Sequence, residues 1–306
     1  MGELSKTLGE LGEDKVSYLM NLVGWSPNST NISIECVHQE AHKEGIGPRV
    51  THGIDALYRY ECPLIGNHLS FVVVSAKNQQ KYSAKLSTAK KYTLELINTI
   101  SCFQESNLRK SISKEYKLNR KYSGVLFWLS DTEDDNSLID KFADENIVAG
   151  AGNTFHSISL VDNKKANFLF NSIQFIKGEY SDYKFYYHNT GYNSSPSNRI
   201  TSGSILPVEM INTGLIAFKA SKNNLQYLII ATIEDYSEER VKRLISLCQN
   251  LTDNWAERVS ILFNSYSYLE NTSVDKVKLS IKDDDFTRKV GVGTFNQSLS
   301  NVEVGR

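Results

Sequence analysis

The chain has 306 residues and a formal net charge of -1, with 40% hydrophobic and 10% aromatic residues. That is enough for one large domain, or a domain with a substantial extension, and ample for a sizeable core. No apolar run approaches the roughly 18 residues of a membrane span, and the near-neutral charge gives no whole-molecule argument for or against nucleic acid. The four cysteines (Cys36, Cys62, Cys102, Cys248) form no CxxC pair, which fits reduced thiols and predicts a cytoplasmic protein. The start carries Glu3 without a basic-then-apolar pattern, and Lys6 breaks the myristoylation pattern, so neither export nor lipidation is expected.

Residues 3–24 read as an amphipathic helix. Leu4, Leu8, Leu11, Val16, Leu19, Met20 and Val23 recur on one face, and Gly24 stops it. Gly9 and Gly12 lie on or beside that face, where glycine weakens a helix but lets backbone approach closely. NISIECV (31–37) reads as a strand, followed by a loop rich in His, Gly and charge (38–51). GIDALYRY (53–60) and LSFVVVSAK (69–77) read as a neighbouring pair of strands, turned through Pro63 and Gly66. A second long helix is expected over 83–105, with Leu86, Ala89, Leu96, Ile97, Ile100 and Phe103 as its apolar face.

YSGVLFWLS (122–130) is a continuous apolar run of buried-strand type, and FHSISLVD (155–162) resembles it. An acidic helix is expected between them, and KANFLFNSIQFI (165–176) reads as a further helix. From Tyr183 the texture becomes polar, aromatic and loop-like. NLQYLIIATIEDYSEERVKRLISLCQNL then reads as a β-α unit, RVSILFNSY as a strand, and the last twenty or so residues as a weak tail. The organisation this predicts is a mixed α/β domain over residues 1–180 and an accessory α/β or interaction region over 181–306, with a soft boundary near 180–205.

Charge is unevenly distributed. From Lys77 to Lys121 there are eleven Lys or Arg and three acids, whereas Asp131 to Glu145 holds seven acids and one lysine. A basic run of this kind is either a solvated helix face or a strip that follows phosphates, with Lys81, Lys85, Lys90 and Lys91 as the candidate contacts.

One constellation could carry chemistry. In FVVVSAK, alternation sends Ser75 and Lys77 to one side and Val74 and Ala76 to the other. If GIDALYRY pairs alongside, Asp55 meets Lys77 at that surface. Glu13 falls at the edge of the first helix's apolar stripe and could add a carboxylate, while Glu10 falls on the solvent side. The bland alternative is that Asp55 begins a turn and Lys77 snorkels from a strand end.

These elements together resemble the PD-(D/E)xK nuclease superfamily: a first helix with GELGEDKVSYLMNLVGW, HGID on one strand, and an apolar strand ending in x-x-Lys. The resemblance implies a restriction-endonuclease-like mixed β-sheet flanked by helices. It also implies Mg²⁺ (or Mn²⁺) held by Asp55, Glu13 and the Ala76 carbonyl, with Lys77 as the catalytic lysine. A hard cation of this kind takes oxygen ligands and lowers the pKa of bound water. Ser75 stands where the superfamily has Glu, Asp or sometimes Gln; Gln79 and Glu35 are nearby in sequence and could substitute. MGELSKTLGELGE, THGIDALYRYECPL, VLFWLS and YYHNTGYN resemble more narrowly the nuclease-type subunit of a two-gene bacterial antiphage defence system of the GAPS kind. That implies double-stranded DNA as substrate, a companion subunit encoded next door, and a hetero-oligomer with more than one copy. A catalytically inactive DNA-binding or scaffold subunit is the alternative.

Other sites weigh less. Cys36, His38, His42, His52 and Cys62 suggest zinc by type, but their spacing matches no tight ligand pair. His52 reads instead as a polar wall of the nuclease site, contacting nucleic acid, or as a turn residue. The glycine pairs at 150–152 and 291–293 lack GxGxxG and a following helix, and no P-loop occurs. Tyr183, Phe185, Tyr186, Tyr187, His188 and Tyr192 could stack on bases or grip a partner, although a buried sheet layer is the commoner explanation.

Overall fold

Helical spacing of the apolar residues produces α1 (Gly2–Leu22), and Gly24, at φ 82°, turns the chain out of it. In this computed structural model residues 2–43, 45, 47–82, 85–132, 137–142, 145, 155–189, 199–252 and 255–296 are described. The chain divides into two compact units, Met1–Ala166 with Pro207–Asn212, and Asn167–Leu206 with Thr213–Arg306.

The first unit is built on a five-stranded sheet, in order β1 (Pro27–Glu35), β2 (Thr51–Glu61), β3 (His68–Gln79), β4 (Asn119–Ser130) and β5 (Ser157–Val161). β1–β2 and β2–β3 are antiparallel, whereas β3–β4 and β4–β5 are parallel. The crossover between β3 and β4 contains α2 (Leu86–Glu105) and α3 (Asn107–Ile112). The apolar face of α2 packs Leu96, Ile100 and Phe103 against Leu69, Phe71 and Val73 of β3 and Leu126 of β4. Central strands buried on both faces read as unbroken apolar runs, as VVV and GVLFWL do.

α1 covers the opposite face. Asn78 of β3 donates its side-chain amide to the Leu8 carbonyl at 3.0 Å, and a Cβ on Gly12 would lie 2.5 Å from the Asn78 Cβ. A second clamp is Lys15, which donates to Asp131 at 2.6 Å. That ammonium holds the Asp131 carboxyl below the ordinary carboxylate range, so the clamp is intact at neutral pH and is lost only as pH falls through the lowered value. Beyond β5, the buried Asp162 accepts from the Leu138 and Ile139 amides at the start of α4 (Leu138–Phe142) and from the Lys165 amide in α5 (Asn163–Glu179), serving two helix starts with one carboxylate. In segment 207–212, Glu209 pairs with the buried Lys121 of β4 at 2.9 Å, and the Tyr60 hydroxyl accepts from the Val208 amide at 2.7 Å.

The second unit holds a six-stranded sheet. Its order is β11 (Val290–Thr294), β10 (Arg258–Phe263), β9 (Leu225–Thr232), β8 (Leu215–Lys222), β6 (Asp182–Tyr186) and β7 (Ser202–Gly203). Its core packs Val241, Ile245 and Cys248 of α6 (Glu238–Thr252) and Val274 and Val277 of α7 (Asn271–Leu279) against the strands. Two expectations change here. The stretch expected to be loop-like opens with the strand β6, and Phe185, Tyr186 and Tyr187 are buried, as the sheet-layer reading of these aromatics expected; His188 is exposed and Tyr192 lies outside the described residues. The expected weak tail contains α8 (Asp284–Thr287) and β11, where alternating glycines in VGVGT hid a strand paired in parallel with β10. The glycine pair at 150–152 and most of the acidic stretch after Asp131 lie outside the described residues.

The two glycines of α1 make opposite predictions. Alanine is the better helix former by about 1 kcal/mol at an interior position, and a methyl on Gly9 meets nothing within 4 Å. Gly9→Ala should therefore raise the melting temperature, whereas Gly12→Ala should lower it, because the clash with Asn78 exceeds the propensity gain. Thermal melts of both variants check this; equal melting temperatures would contradict it.

Candidate active site

The ladder between β2 and β3 runs from Glu61–Leu69 to Ala56–Val74 and ends there. β3 continues beside β4 as far as Gln79–Ser130, while β2 continues beside β1 as far as Thr51–Glu35. The strands part at Asp55. Ile54 and Leu57 both lie in the cluster under α2, so strict alternation breaks between them. Asp55, half-buried, uses this break to accept the Ala76 N–H through Oδ2 at 2.7 Å. Its side chain takes the place of the missing ladder partner at the step between Ser75 and Lys77.

Lys77 faces α2, as alternation from Phe71 and Val73 requires. Its Nζ lies 3.8 Å from Oε2 of Glu95 and 5.6 Å from the centre of the Tyr92 ring. Glu95 also meets the Arg49 guanidinium at 3.5 Å, so one helix carboxylate stands between two cations. Arg49 is fixed from the loop side, its Nε donating to the Thr51 carbonyl at 3.0 Å. A strand, a loop and a helix thus bring Lys77, Arg49 and Glu95 together, while Asp55 binds the β3 backbone one residue before Lys77.

Sequence reasoning missed Glu95 and Arg49. The available signal was a polar line on α2: Tyr92, Glu95 and Thr99, at i, i+3 and i+7, border its apolar face. Glu13 is half-buried on α1, the residue after Gly12, on the helix that packs against the face opposite Lys77. Gln79 is engaged by Tyr92 at 2.9 Å and Trp128 at 3.4 Å, and Glu35 is exposed at the end of β1. Lys81, Lys85, Lys90 and Lys91 are all exposed, before and within the first turns of α2. Among the described residues, no group of three or more acidic side chains gathers around Asp55.

His52 requires a correction. It is fully buried, its Nε2 3.4 Å from His42 Nδ1 and its Nδ1 3.4 Å from Thr99 Oγ1. Burial, then Arg49 and His42, push its pKa down to about 4. A buried, neutral imidazole under α2 does not contact a phosphate backbone. The strand alternation that sends Ile54 inward sends His52 inward with it.

A mixed sheet flanked by helices, with Asp55 reaching the backbone two positions beyond Val74 and Lys77 at the strand end, defines a restriction-endonuclease-like protein of the PD-(D/E)XK class. Residues 1–165 match the model of the GAPS4 protein PD-(D/E)XK nuclease domain. That match covers more than half of the chain, which therefore belongs to this family of antiphage-defence nuclease domains. Comparison with curated proteins gives no match.

Glu95 pairs with Lys77 while both remain about a third exposed, a setting where ion pairs contribute about 1 kcal/mol or less. Glu95→Gln is expected to leave the melting temperature within a few degrees of the parent by circular dichroism. A much larger drop would mean that Glu95 is a folding residue and not a site residue.

Proposed function

We propose that this chain is a metal-dependent DNA nuclease subunit of an antiphage defence complex, cleaving phosphodiester bonds at Asp55 and Lys77. The observation that carries the reading is the Asp55–Ala76 bond at the divergence of β2 and β3, which holds a carboxylate beside the strand that bears Lys77. The family match and the exposed lysines from Lys81 to Lys91 support it.

The donor set suits a hard divalent ion. Asp55 has engaged only one carboxylate oxygen in hydrogen bonding among the described residues. The Ser75 hydroxyl and the Ala76 carbonyl add further oxygen donors, and Mg²⁺ keeps several waters when carboxylates are few; Glu13, on the helix over the opposite face, is left out of this donor set. When bound, such an ion supplies charge neutralisation at the phosphate and a more acidic water. Asp55 fixes the position, and Lys77 donates to the phosphate or orients the nucleophile. Glu95, the carboxylate nearest Lys77, compensates for the missing acid at position 75. Lys81, Lys85, Lys90 and Lys91 follow the duplex backbone, and a companion subunit from the neighbouring gene completes a hetero-oligomer.

A second reading is a catalytically inactive DNA-binding or scaffold subunit, favoured by Ser75 at the acid's position and by the Lys77–Glu95 pairing. The two separate in one assay: linear and circular duplex DNA with Mg²⁺ or Mn²⁺, the chain tested alone and with its neighbouring gene product. Cleavage is expected to stop with a chelator and to fall about 100-fold or more in Lys77→Ala and Asp55→Asn. Asparagine keeps an oxygen for the Ala76 N–H, so folding is preserved while the charge is removed. Salt-sensitive binding without cleavage would overturn the enzyme reading in favour of the scaffold.

A further inference from the structure

Under the same sheet edge the fold gathers four side chains that sequence spacing kept apart. Cys36 follows β1, His42 lies in the next loop, His52 is in β2, and Cys102 comes from α2, sixty-six positions after Cys36. Cys36, His52 and Cys102 are buried and His42 is half-buried, and the four ligand atoms lie within 4.8 Å of one another. His38 turns away to Glu105 at 3.0 Å, and Cys62 lies near Glu209 instead.

Four of the six edges of the cluster can be compared with those of a coordination shell; the other two, from His52 to the sulfurs, lie within 4.8 Å. Zn–S of about 2.3 Å and Zn–N of about 2.0–2.1 Å in a tetrahedron require edges of about 3.8 Å for S···S, about 3.6 Å for S···N and about 3.4 Å for N···N. Cys36 Sγ to Cys102 Sγ is 3.8 Å, and Cys36 Sγ to His42 Nδ1 is 3.6 Å. Cys102 Sγ to His42 Nδ1 is 3.4 Å, as is His42 Nδ1 to His52 Nε2. The nitrogen pair is too far apart for a good hydrogen bond, which runs to about 3.2 Å, and the sulfurs are too far apart for a disulfide bond of about 2.05 Å.

The surroundings also suit ligation. Thr99 donates its hydroxyl proton to the Glu95 carbonyl at 2.8 Å, so towards His52 it can only accept. A proton on Nδ1 of His52 would face that acceptor at 3.4 Å and leave the Nε2 lone pair for the cluster, the arrangement outer-shell partners give metal-bound histidines. Two thiolates and two neutral imidazoles around a dication sum to zero charge, which an apolar core accommodates.

We propose that Cys36, His42, His52 and Cys102 form a structural zinc site that fastens the loop after β1 to β2 and α2. Tetrahedral S₂N₂ donors select zinc among the common divalent ions. On binding, both thiols release their protons to solvent and no electron is transferred. The site ties down three elements of the nuclease region: the loop bearing Arg49, the strand bearing Asp55 and the helix bearing Glu95. It stands independently of the catalytic reading, since zinc content is measured without a cleavage assay.

Native mass spectrometry of the full chain, purified without chelator from zinc-supplemented cells, tests it directly. The expected result is roughly one zinc per chain, released by acid, which reprotonates both thiolates, or by an organomercurial, which exchanges each Zn–S bond for an S–Hg bond. Cys102→Ser and His52→Asn should lose that zinc and melt at lower temperature, while His38→Asn and Cys62→Ser keep it. Should the cluster variants fail to fold, zinc release on thiol modification of the parent chain decides the matter. Substoichiometric zinc in the folded parent, zinc release that leaves Cys36 and Cys102 unmodified, or a Cys36–Cys102 disulfide in its place would overturn the proposal.

Discussion

The divergence of β2 from β3 depends on a single hydrogen bond between side chain and backbone. Where β2 leaves β3, the Ala76 amide loses its ladder partner, and an unpaired amide in a half-buried strand costs about 1–3 kcal/mol. The Asp55 carboxylate supplies the acceptor at 2.7 Å. The same bond that makes the divergence tolerable fixes a negative charge beside the strand that bears Lys77. Folding and chemistry are coupled at that atom pair: the fold needs an acceptor there, and only the proposed function needs it to be charged.

Around this point the layers have separate tasks. α1 comes close to one face because Gly12 has no side chain opposite Asn78, and Lys15 with Asp131 holds it in place. α2 covers the other face and places Glu95 between Lys77 and Arg49. About one turn further along, the same helix presents Thr99 to His52, and about two turns along it presents Cys102 to Cys36. The region is therefore organised along α2, with its exposed lysines at the beginning, the carboxylate in the middle and the sulfur cluster near the end.

Much of this architecture was legible in the sequence because it rests on local periodicity. α1 and α2 follow from apolar spacing of about 3.6, β3 and β4 from continuous apolar runs, and Ser75 and Lys77 share a face by alternation alone. What escaped was non-local. Glu95 looked like one acid in a basic run, and its role exists only because the crossover lays α2 over β3. His52 was expected at the surface because a turn-like histidine precedes Gly53, whereas its strand neighbour Ile34 turns it inward. The Cys/His cluster matched no spacing rule, since its fourth member comes from a distant helix. In the second unit, alternating glycines concealed β11, whose strand character comes from pairing more than from propensity, and the polar residues after Tyr187 concealed β6 despite its strand-forming aromatics.

The central claim is that the divergence at Asp55 forms a site for a divalent cation beside Lys77. Anomalous diffraction at the manganese edge, from crystals of the chain with duplex DNA and Mn²⁺, examines it most directly. The account predicts a manganese peak coordinated by the Asp55 carboxylate, with a DNA phosphate within reach of the Lys77 ammonium. DNA bound elsewhere on the chain, with no manganese at Asp55, would contradict it.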